Sequence, residues 1–246
     1  MNALFILSTA ALLVSSCLTY VYSNRTVSKG SWRKALVLYA LISLLAAIAV
    51  RYFQAVRPDD LFKGAVLKFC ASLPSVLFAF KAYSLKKTRF SFLIVCAIVL
   101  GLIADISINL SFFIGGAIFL VGHLFYDIAF VTEKRPGTKQ IILWLGLSAL
   151  VVIPLYLFRE KIGSLGNAAG GLLYISLLIS TVIFAYPLGT MCFMAALIFA
   201  LSDGFMIVNI VTNGSMFMKI LALAVYYGAL LIYGALLWKR NESSVK

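Results

Sequence analysis

The sequence contains few charged residues. Only 12% of its 246 residues are Asp, Glu, Lys or Arg, whereas 63% are hydrophobic. A water-soluble domain of this size needs much more polar surface than this composition supplies. No polar stretch is long enough to form a separate aqueous domain. The composition therefore excludes an ordinary soluble protein and predicts that lipid surrounds most of the chain.

Histidine and cysteine are also scarce. The single histidine, His123, excludes a catalytic zinc site built from several histidines. The four cysteines (Cys17, Cys70, Cys96 and Cys192) lie in apolar segments without paired spacing, which argues against a disulfide framework or a zinc ribbon. The sequence contains no glycine-rich phosphate loop and no nucleophile elbow. We expect neither a metal nor an organic cofactor.

Nine apolar runs are long enough to cross a bilayer. They fall at residues 3–22, 34–53, 62–82, 90–109, 112–131, 140–158, 167–186, 189–211 and 216–238. Turn-forming residues separate the most closely spaced runs: Ser111, Pro187 with Gly189, and Asn213 with Gly214. The pattern predicts an all-α, polytopic bundle of about nine transmembrane helices that forms one domain, residues 1–246.

The formal net charge of +13 would suggest a nucleic-acid partner in a soluble protein. Here we interpret it as loop charge that sets orientation, and we expect no nucleic acid as a partner. With the N-terminus outside, the outer side carries only Arg51, Arg57, Lys63, Arg159, Lys161 and Lys219. The remaining basic residues, apart from Lys68 within a span, lie on the inner side. The asymmetry predicts an N-terminus outside and a C-terminus inside.

The first span has a second interpretation as a signal peptide. Residues 14–17 resemble a lipoprotein cleavage box, but no basic side chain precedes the apolar run. The run is long enough to span, and basic residues follow it. We therefore predict a retained first helix.

Several ionisable residues lie inside the apolar spans. Each costs about 2.5–3.5 kcal/mol to insert at the centre of a helix, so each needs a reason to be there. The set comprises Lys68, Asp105, His123, Asp127 and Asp203, with Asn109 and Asn209 as neutral companions. All of them are candidates for function.

Asp105, Asp203 and Lys68 fall at a similar depth on three different spans, which predicts a single site. Asn109 follows Asp105 by four residues and therefore shares its helix face. One interpretation is an ion pair between Lys68 and one aspartate that only joins helices. Two aspartates with one lysine favour function instead, because one carboxyl group is left without a counter-charge. Burial and repulsion between the carboxylates would then favour its protonated form, as acid–base hydrolysis requires.

His123 belongs to a stripe of aromatic and small residues on the fifth span. Phe112, Gly115, Phe119, His123, Tyr126 and Phe130 recur at steps of three and four residues. This stripe predicts packing, with Gly115 and Gly122 allowing a neighbouring helix to approach closely. We expect Asp127, four residues after His123, to pair with it or to extend toward the inner interface.

The same residues carry a family resemblance. Residues 101–109, followed by Phe-x-x-Gly-x-x-x-Phe-x-x-x-His-x-Phe-Tyr-x-x-Ala-Phe over residues 112–130, resemble the YhhN-type lysoplasmalogenase family. Ser202, Asp203 and Asn209, and then Tyr226 with Tyr227, match its later motifs in order. The resemblance covers about residues 60–238. It implies a bundle of about eight helices at residues 34–238, with residues 1–33 as an additional N-terminal helix and loop.

The resemblance implies a membrane hydrolase that cleaves the vinyl-ether bond of lysoplasmalogens, releasing a fatty aldehyde and a glycerophospho-headgroup. Asp105 and Asp203 match the two intramembrane aspartates of the family and become the expected catalytic pair. Lys68 matches a family lysine that could keep one aspartate ionised or contact the substrate phosphate. The remaining residues expected to bind substrate or support the site are Asn109, His123, Tyr126, Ser202, Asn209, Tyr226 and Tyr227.

Two alternatives remain open at this point. The aspartates could bind a proton or cation in a transporter or a lipid-binding membrane protein, which helices interrupted in corresponding halves would favour. A hydrolase of another bond, such as an ester or a different ether of a lysolipid, is the second alternative. The expected partners are a lysophospholipid and the lipid bilayer. The compact loops suggest a bacterial inner membrane as the location.

Overall fold

The computed structural model of the protein describes residues 2–25, 31–56, 60–157, 165–212 and 215–242. Within these ranges the chain forms nine α-helices and one short 3-10 turn, and it contains no strand. The predicted all-α bundle of about nine helices is therefore confirmed. The orientation across the bilayer, the single-domain assignment and the retention of the first helix stay predictions.

Seven of the helices are long and apolar enough to cross a membrane, so the chain is an integral membrane protein. The other two, α1 and α6, carry shorter apolar runs in their described parts. In chain order the helices are α1 (Asn2–Arg25), α2 (Ser31–Val56), α3 (Leu61–Leu85), α4 (Arg89–Leu110), α5 (Phe112–Glu133), α6 (Thr138–Leu157), α7 (Leu165–Ala185), α8 (Thr190–Thr212) and α9 (Met216–Glu242).

Two of the predicted turns are present as short connections. Ser111 ends α4 and begins α5 with an extended backbone, and its side chain accepts a hydrogen bond from the Ile114 amide at 3.4 Å. The 3-10 turn Tyr186–Leu188 joins α7 to α8, and Gly189 follows it at a φ of 108°, which favours glycine. The third predicted turn, Asn213 with Gly214, lies outside the described residues.

The helices surround a polar interior. α3 and α9 pack against each other, and both contact α2. α4 and α5 continue from α3, α7 packs on α5, and α8 packs on both α7 and α9. α1 packs on α2 and α3, with the Phe5 and Phe53 rings 5.6 Å apart, while α6 packs on α7 from outside. Six helices (α3, α4, α5, α7, α8 and α9) therefore form a ring whose inner faces can share a site.

The two ends of this ring differ in chemistry. One end is closed by aromatic rings: Tyr126 stacks on Tyr233 at 4.3 Å, and Phe78 stacks on Trp238 at 5.4 Å. The other end holds Ser111, the C-terminus of α2 and the N-termini of α3 and α9; we call it the Ser111 end. Lys68, Ser72 and Asp105 lie in the half of the ring nearer the Ser111 end, which holds the candidate site, whereas Asp127 with Ser180 and Thr181 lies in the half nearer the aromatic rings.

Gly115 allows α5 to lie directly against α4. A Cβ atom at this position would come within 2.7 Å of the Ile108 backbone. Gly116, the next residue, faces open space, with no atom within 4 Å of a Cβ added there. The predicted close approach at Gly115 is thus confirmed, and the neighbour is the preceding helix.

We expect Gly115→Ala to lower the free energy of unfolding by about 1–3 kcal/mol, because the methyl group must push α4 away from α5. Gly116→Ala is the matched control and should leave stability unchanged. Denaturant unfolding in mixed micelles, compared between the two variants, provides the measurement. Equal stability of both variants would contradict the close packing of α4 on α5.

Candidate functional site

Asp105 lies on α4, near the Ser111 end, and faces the interior of the ring. Its side chain is only 3% exposed. The Ser72 hydroxyl on α3 donates a hydrogen bond to its carboxylate at 2.5 Å. Lys68 on α3 and Arg51 on α2 also interact with this carboxylate electrostatically. Asp105 is therefore a buried anion surrounded by donors and cations from two other helices.

Asp203 lies on α8, across the ring from α4. It is half-buried, and the Tyr174 hydroxyl on α7 donates a hydrogen bond to its carboxylate at 2.6 Å. The carboxyl groups of Asp203 and Asp105 are close enough to interact electrostatically. The structure thus brings together the two aspartates that the sequence placed on separate spans.

Lys68 does not form the ion pair that the helix-joining interpretation requires. Its side chain is 7% exposed, and its electrostatic interactions are with Asp105 and Arg51. Within the described part of the chain, no carboxylate oxygen lies within 4.0 Å of its ammonium nitrogen. Lys68 and Asp105 therefore attract each other over a distance longer than the 4.0 Å of a direct ion pair.

Two neighbouring tyrosines of α9 border the aspartates. Tyr226 and Tyr227 are buried, and both interact electrostatically with Asp105. The Tyr226 hydroxyl fits over α4 only because residue 101 is glycine: a Cβ atom there would lie 2.9 Å from it. Both hydroxyls are directed at the Asp105 carboxylate and interact with it, although neither makes a hydrogen bond of good geometry within the described residues.

A small cavity lies about one helical turn from both aspartates. Its lining residues are Ala97, Gly101, Phe119, Gly122, His123, Tyr126 and Phe199, and it has room for about one water molecule. Gly101 precedes Asp105 by four residues, and Phe199 precedes Asp203 by four, which places the cavity about 6 Å along each helix axis from its aspartate. The cavity therefore adjoins the paired carboxyl groups.

Two polar groups beside this cavity lack partners. The Nε2 atom of His123 and the hydroxyl of Tyr126 are both buried, and no hydrogen-bond partner for them occurs in the described ranges. The wall of the cavity is nonetheless formed by carbon atoms, so a water molecule inside it would find no hydrogen-bond partner. His123 and Tyr126, expected from the sequence to support the site, therefore lie beside the cavity without turning their polar atoms into it.

Asp127 is not paired with His123, so that expectation is wrong. Its carboxylate accepts hydrogen bonds from the hydroxyls of Ser180 and Thr181 on α7, the second at 2.8 Å. Thr181 also lies 3.4 Å from Nδ1 of His123. The hydroxyls of α7 reach the carboxylate first, so Thr181 links the two residues. Asp127 is buried and does not extend to the interface.

The predicted companions of the aspartates have other contacts. The Asn109 side-chain amide donates to the backbone carbonyl of Asp105 at 3.2 Å, and its oxygen accepts from Gln54 at 3.3 Å. The Ser202 hydroxyl donates to the Phe199 carbonyl within its own helix at 2.7 Å. Asn209 is buried, and its side-chain oxygen has no partner in the described part of the chain. None of these hydrogen bonds joins a companion to an aspartate carboxylate.

The site is an arrangement for acid–base chemistry. It contains one buried and one half-buried carboxyl group, a lysine that is almost fully buried, and several hydroxyl groups. Across the residues that the structure describes, no group of three or more His, Cys, Asp or Glu side chains is arranged to hold a metal ion. The residues present can exchange protons and stabilise a cation.

Comparison with known proteins gives one match. The model of the YhhN family matches residues 64–236, from the first turn of α3 to the last part of α9. The chain belongs to the YhhN family. Comparisons with curated proteins and with solved structures found no match. The matched segment contains both aspartates and Lys68, whereas α1 and α2 precede it.

Sequence reasoning missed three residues of this YhhN site. Ser72 and Tyr174 donate the hydrogen bonds to Asp105 and Asp203, but a single serine or tyrosine in an apolar span carries no signal of its own. Arg51 was counted among the flanking charges that set orientation. Its position inside a predicted span, where an arginine is costly, was the available signal.

We expect a coupling between Gly101 and Tyr226. Gly101→Ala should cost about 1 kcal/mol more stability in the wild-type background than in Tyr226→Phe, because only the wild type has the hydroxyl that the new methyl group displaces. Denaturant unfolding of the four proteins in mixed micelles gives this difference. An equal cost in both backgrounds would show that the tyrosine hydroxyl does not lie against α4.

Proposed function

We propose that this YhhN protein hydrolyses the vinyl-ether bond of lysoplasmalogens, releasing a fatty aldehyde and a glycerophospho-headgroup. The observation that carries the proposal is the pair of interior aspartates, Asp105 and Asp203, whose carboxyl groups lie close enough to interact with each other. Family membership and the motif resemblance support it. The enzyme would act in a cell membrane, and a bacterial inner membrane remains our suggestion.

The chemistry of a vinyl ether requires a general acid. Protonation of the β-carbon converts the ether into an oxocarbenium ion, and water then attacks the carbon bonded to oxygen. The resulting hemiacetal collapses to an aldehyde and the free alcohol of the glycerol. The proton given by the acid is returned when water loses a proton, so hydrolysis consumes only water. A protonated carboxyl group can start the reaction, and a carboxylate can stabilise the cation.

The two aspartates suit these two roles because their positions are close and their partners differ. Asp105 has two cations, Lys68 and Arg51, within electrostatic range. The neighbours that interact with Asp203 are the hydroxyls of Tyr174 and Ser202 and the Asp105 carboxylate, and none of them is a cation. This difference favours Asp203 as the general acid and Asp105 as the anion that stabilises the oxocarbenium ion.

The hydrolytic water would be held beside the carboxyl groups and not in the small cavity, whose wall is apolar. Tyr226 lies between this cavity and Asp105 and could orient either the water or the ether oxygen. The half-buried Asp203 is the more accessible aspartate, so the lipid would reach it first.

The alternative of a coupled transporter finds less support. Transporter sites of this kind are formed by helices that break near the middle of the membrane. The aspartate-bearing helices α4 (Arg89–Leu110) and α8 (Thr190–Thr212) each run without interruption past the site. A continuous scaffold that holds reacting groups in place is better suited to catalysis.

We expect purified protein to release aldehyde from lysoplasmalogen, and Asp105→Asn and Asp203→Asn each to lower kcat by about 100-fold or more, since a general acid or its charge partner is removed. A coupled dehydrogenase that consumes NADH reports the aldehyde. Asp127→Asn is the matched control, because it removes a buried carboxylate that already has its hydrogen bonds from α7.

The wild-type assay tests the hydrolase activity, and the Asp127→Asn control tests whether Asp105 and Asp203 are the catalytic residues. Absence of aldehyde from a monodisperse wild-type sample would refute the hydrolase. Activity that survives in both Asp105→Asn and Asp203→Asn, or that is lost equally in Asp127→Asn, would refute the assignment of the two aspartates as catalytic residues.

We expect aldehyde formed in heavy water to carry deuterium on the carbon next to the carbonyl, because the proposed acid delivers a solvent-derived proton to the β-carbon. Mass spectrometry of the aldehyde, trapped immediately as a stable derivative, measures this label. The fully saturated alkyl-ether analogue should bind and inhibit without reacting, since it has no β-carbon to protonate. Cleavage of that analogue would contradict the mechanism.

A further inference from the structure

Two cations lie together at the Ser111 end of the interior. Arg51 on α2 and Lys68 on α3 interact with each other and with Asp105. Arg51 is held in place by two hydrogen bonds: its Nε donates to the Lys219 carbonyl at 3.2 Å, and its Nη1 donates to the Gln54 side chain at 2.9 Å. Two like charges within a bilayer repel each other, and Asp105 can balance only one of them.

Lys68 has unused hydrogen-bonding capacity. An ammonium group carries three donors, and the Lys68 residue that bears this one is only 7% exposed. None of the described residues forms a hydrogen bond with it or pairs with it within 4.0 Å. A buried charge without a close partner is costly, so the site favours an additional anion near Lys68.

Arg51 can complete the coordination of that anion. Its two hydrogen bonds use Nε and Nη1, and Nη2 has no partner among the described residues. The planar guanidinium matches the geometry of a phosphate, which accepts two parallel hydrogen bonds from it. Neither acceptor of Arg51 is charged, so its own charge also favours an anion.

The depth of the two cations matches the phosphate of a lipid whose ether bond lies between the aspartates. With a rise of about 1.5 Å per residue, Arg51, Lys68 and Asp105 lie ~8, ~10 and ~8 Å from the nearest helix ends, and Asp203 lies ~14 Å from its own. The two cations therefore lie at about the depth of Asp105, and Asp203 lies deeper. A shallow groove lined by Phe53, Gln54, Asp60, Lys63 and Gly64 opens at the same end, and Gln54 connects it to Arg51. Lys63 is already paired with Asp60 in this groove, so the groove itself adds no free positive charge. The headgroup would therefore lie toward the surface and the alkenyl chain deeper.

We infer that Arg51 and Lys68 form a binding site for the phosphate of a lysophospholipid, which holds the glycerol so that its ether bond lies between Asp105 and Asp203. The inference rests on the proposed function for the position of the ether bond. Arg51 lies on α2, outside the segment that matches the YhhN family, so the family match does not account for it.

The test measures binding of a lipid that cannot react. Purified full-length protein would be titrated with a saturated alkyl-ether lysophosphatidylcholine and, in parallel, with the alkylglycerol of the same chain length, which lacks the phosphate. Arg51→Gln and Lys68→Met should each weaken binding of the phospholipid by about tenfold or more and leave binding of the alkylglycerol unchanged. Arg89→Gln, an exposed arginine at the other end of the bundle, is the control and should change neither.

The charge-preserving variants Arg51→Lys and Lys68→Arg protect the test against misfolding, since they should bind the phospholipid more tightly than Arg51→Gln and Lys68→Met do. Inorganic phosphate should compete only weakly, because it lacks the lipid chain. Wild-type affinity in Arg51→Gln and Lys68→Met, equal losses for both lipids, or full competition by inorganic phosphate would each overturn the inference. Binding does not require hydrolysis, so a protein that binds the phospholipid but releases no aldehyde would refute the proposed function alone.

Discussion

The burial of the Asp105 carboxylate is the constraint on which the site depends. A carboxylate within a bilayer is costly unless donors and counter-charges surround it. Ser72 donates to it from α3, the Tyr226 and Tyr227 side chains approach it from α9, and Arg51 interacts with it from α2. Asp105 thereby gives several helices a common partner. The rotation of each helix about its own axis follows from the need to present a polar side chain to this one position.

This constraint also explains the division of the interior into two ends. Aromatic rings fill one end, where ring contacts between Phe78 and Trp238 and between Tyr126 and Tyr233 hold the helices together. Toward the Ser111 end, charged and hydroxyl groups face one another, and some retain free hydrogen-bonding capacity. A protein that only needed to be stable would pair these groups with one another. Their incomplete pairing is the price of a surface that can receive a polar ligand.

The sequence predicted the helices well and the site in part. Lengths of apolar runs and turn formers such as Ser111 located the spans, because lipid imposes a simple length rule. The insertion cost singled out Asp105 and Asp203. It could not identify Ser72 or Tyr174, which are inexpensive in a membrane and become important only through helix rotation. The same limit explains the error at Asp127: spacing along α5 placed it near His123, but Ser180 and Thr181 arrive from a helix distant in sequence.

Ser111 has a mechanical consequence beyond turning the chain. Ser111 is both the C-cap of α4 and the N-cap of α5, so no flexible loop separates the two helices. Close packing of α5 on α4 at Gly115 then fixes the two helices relative to each other next to this turn. Asp105 on α4 and His123 on α5 therefore belong to one rigid helical hairpin. A rearrangement that admits a lipid must move other helices relative to this hairpin, while the distance between the carboxylate and the imidazole stays the same.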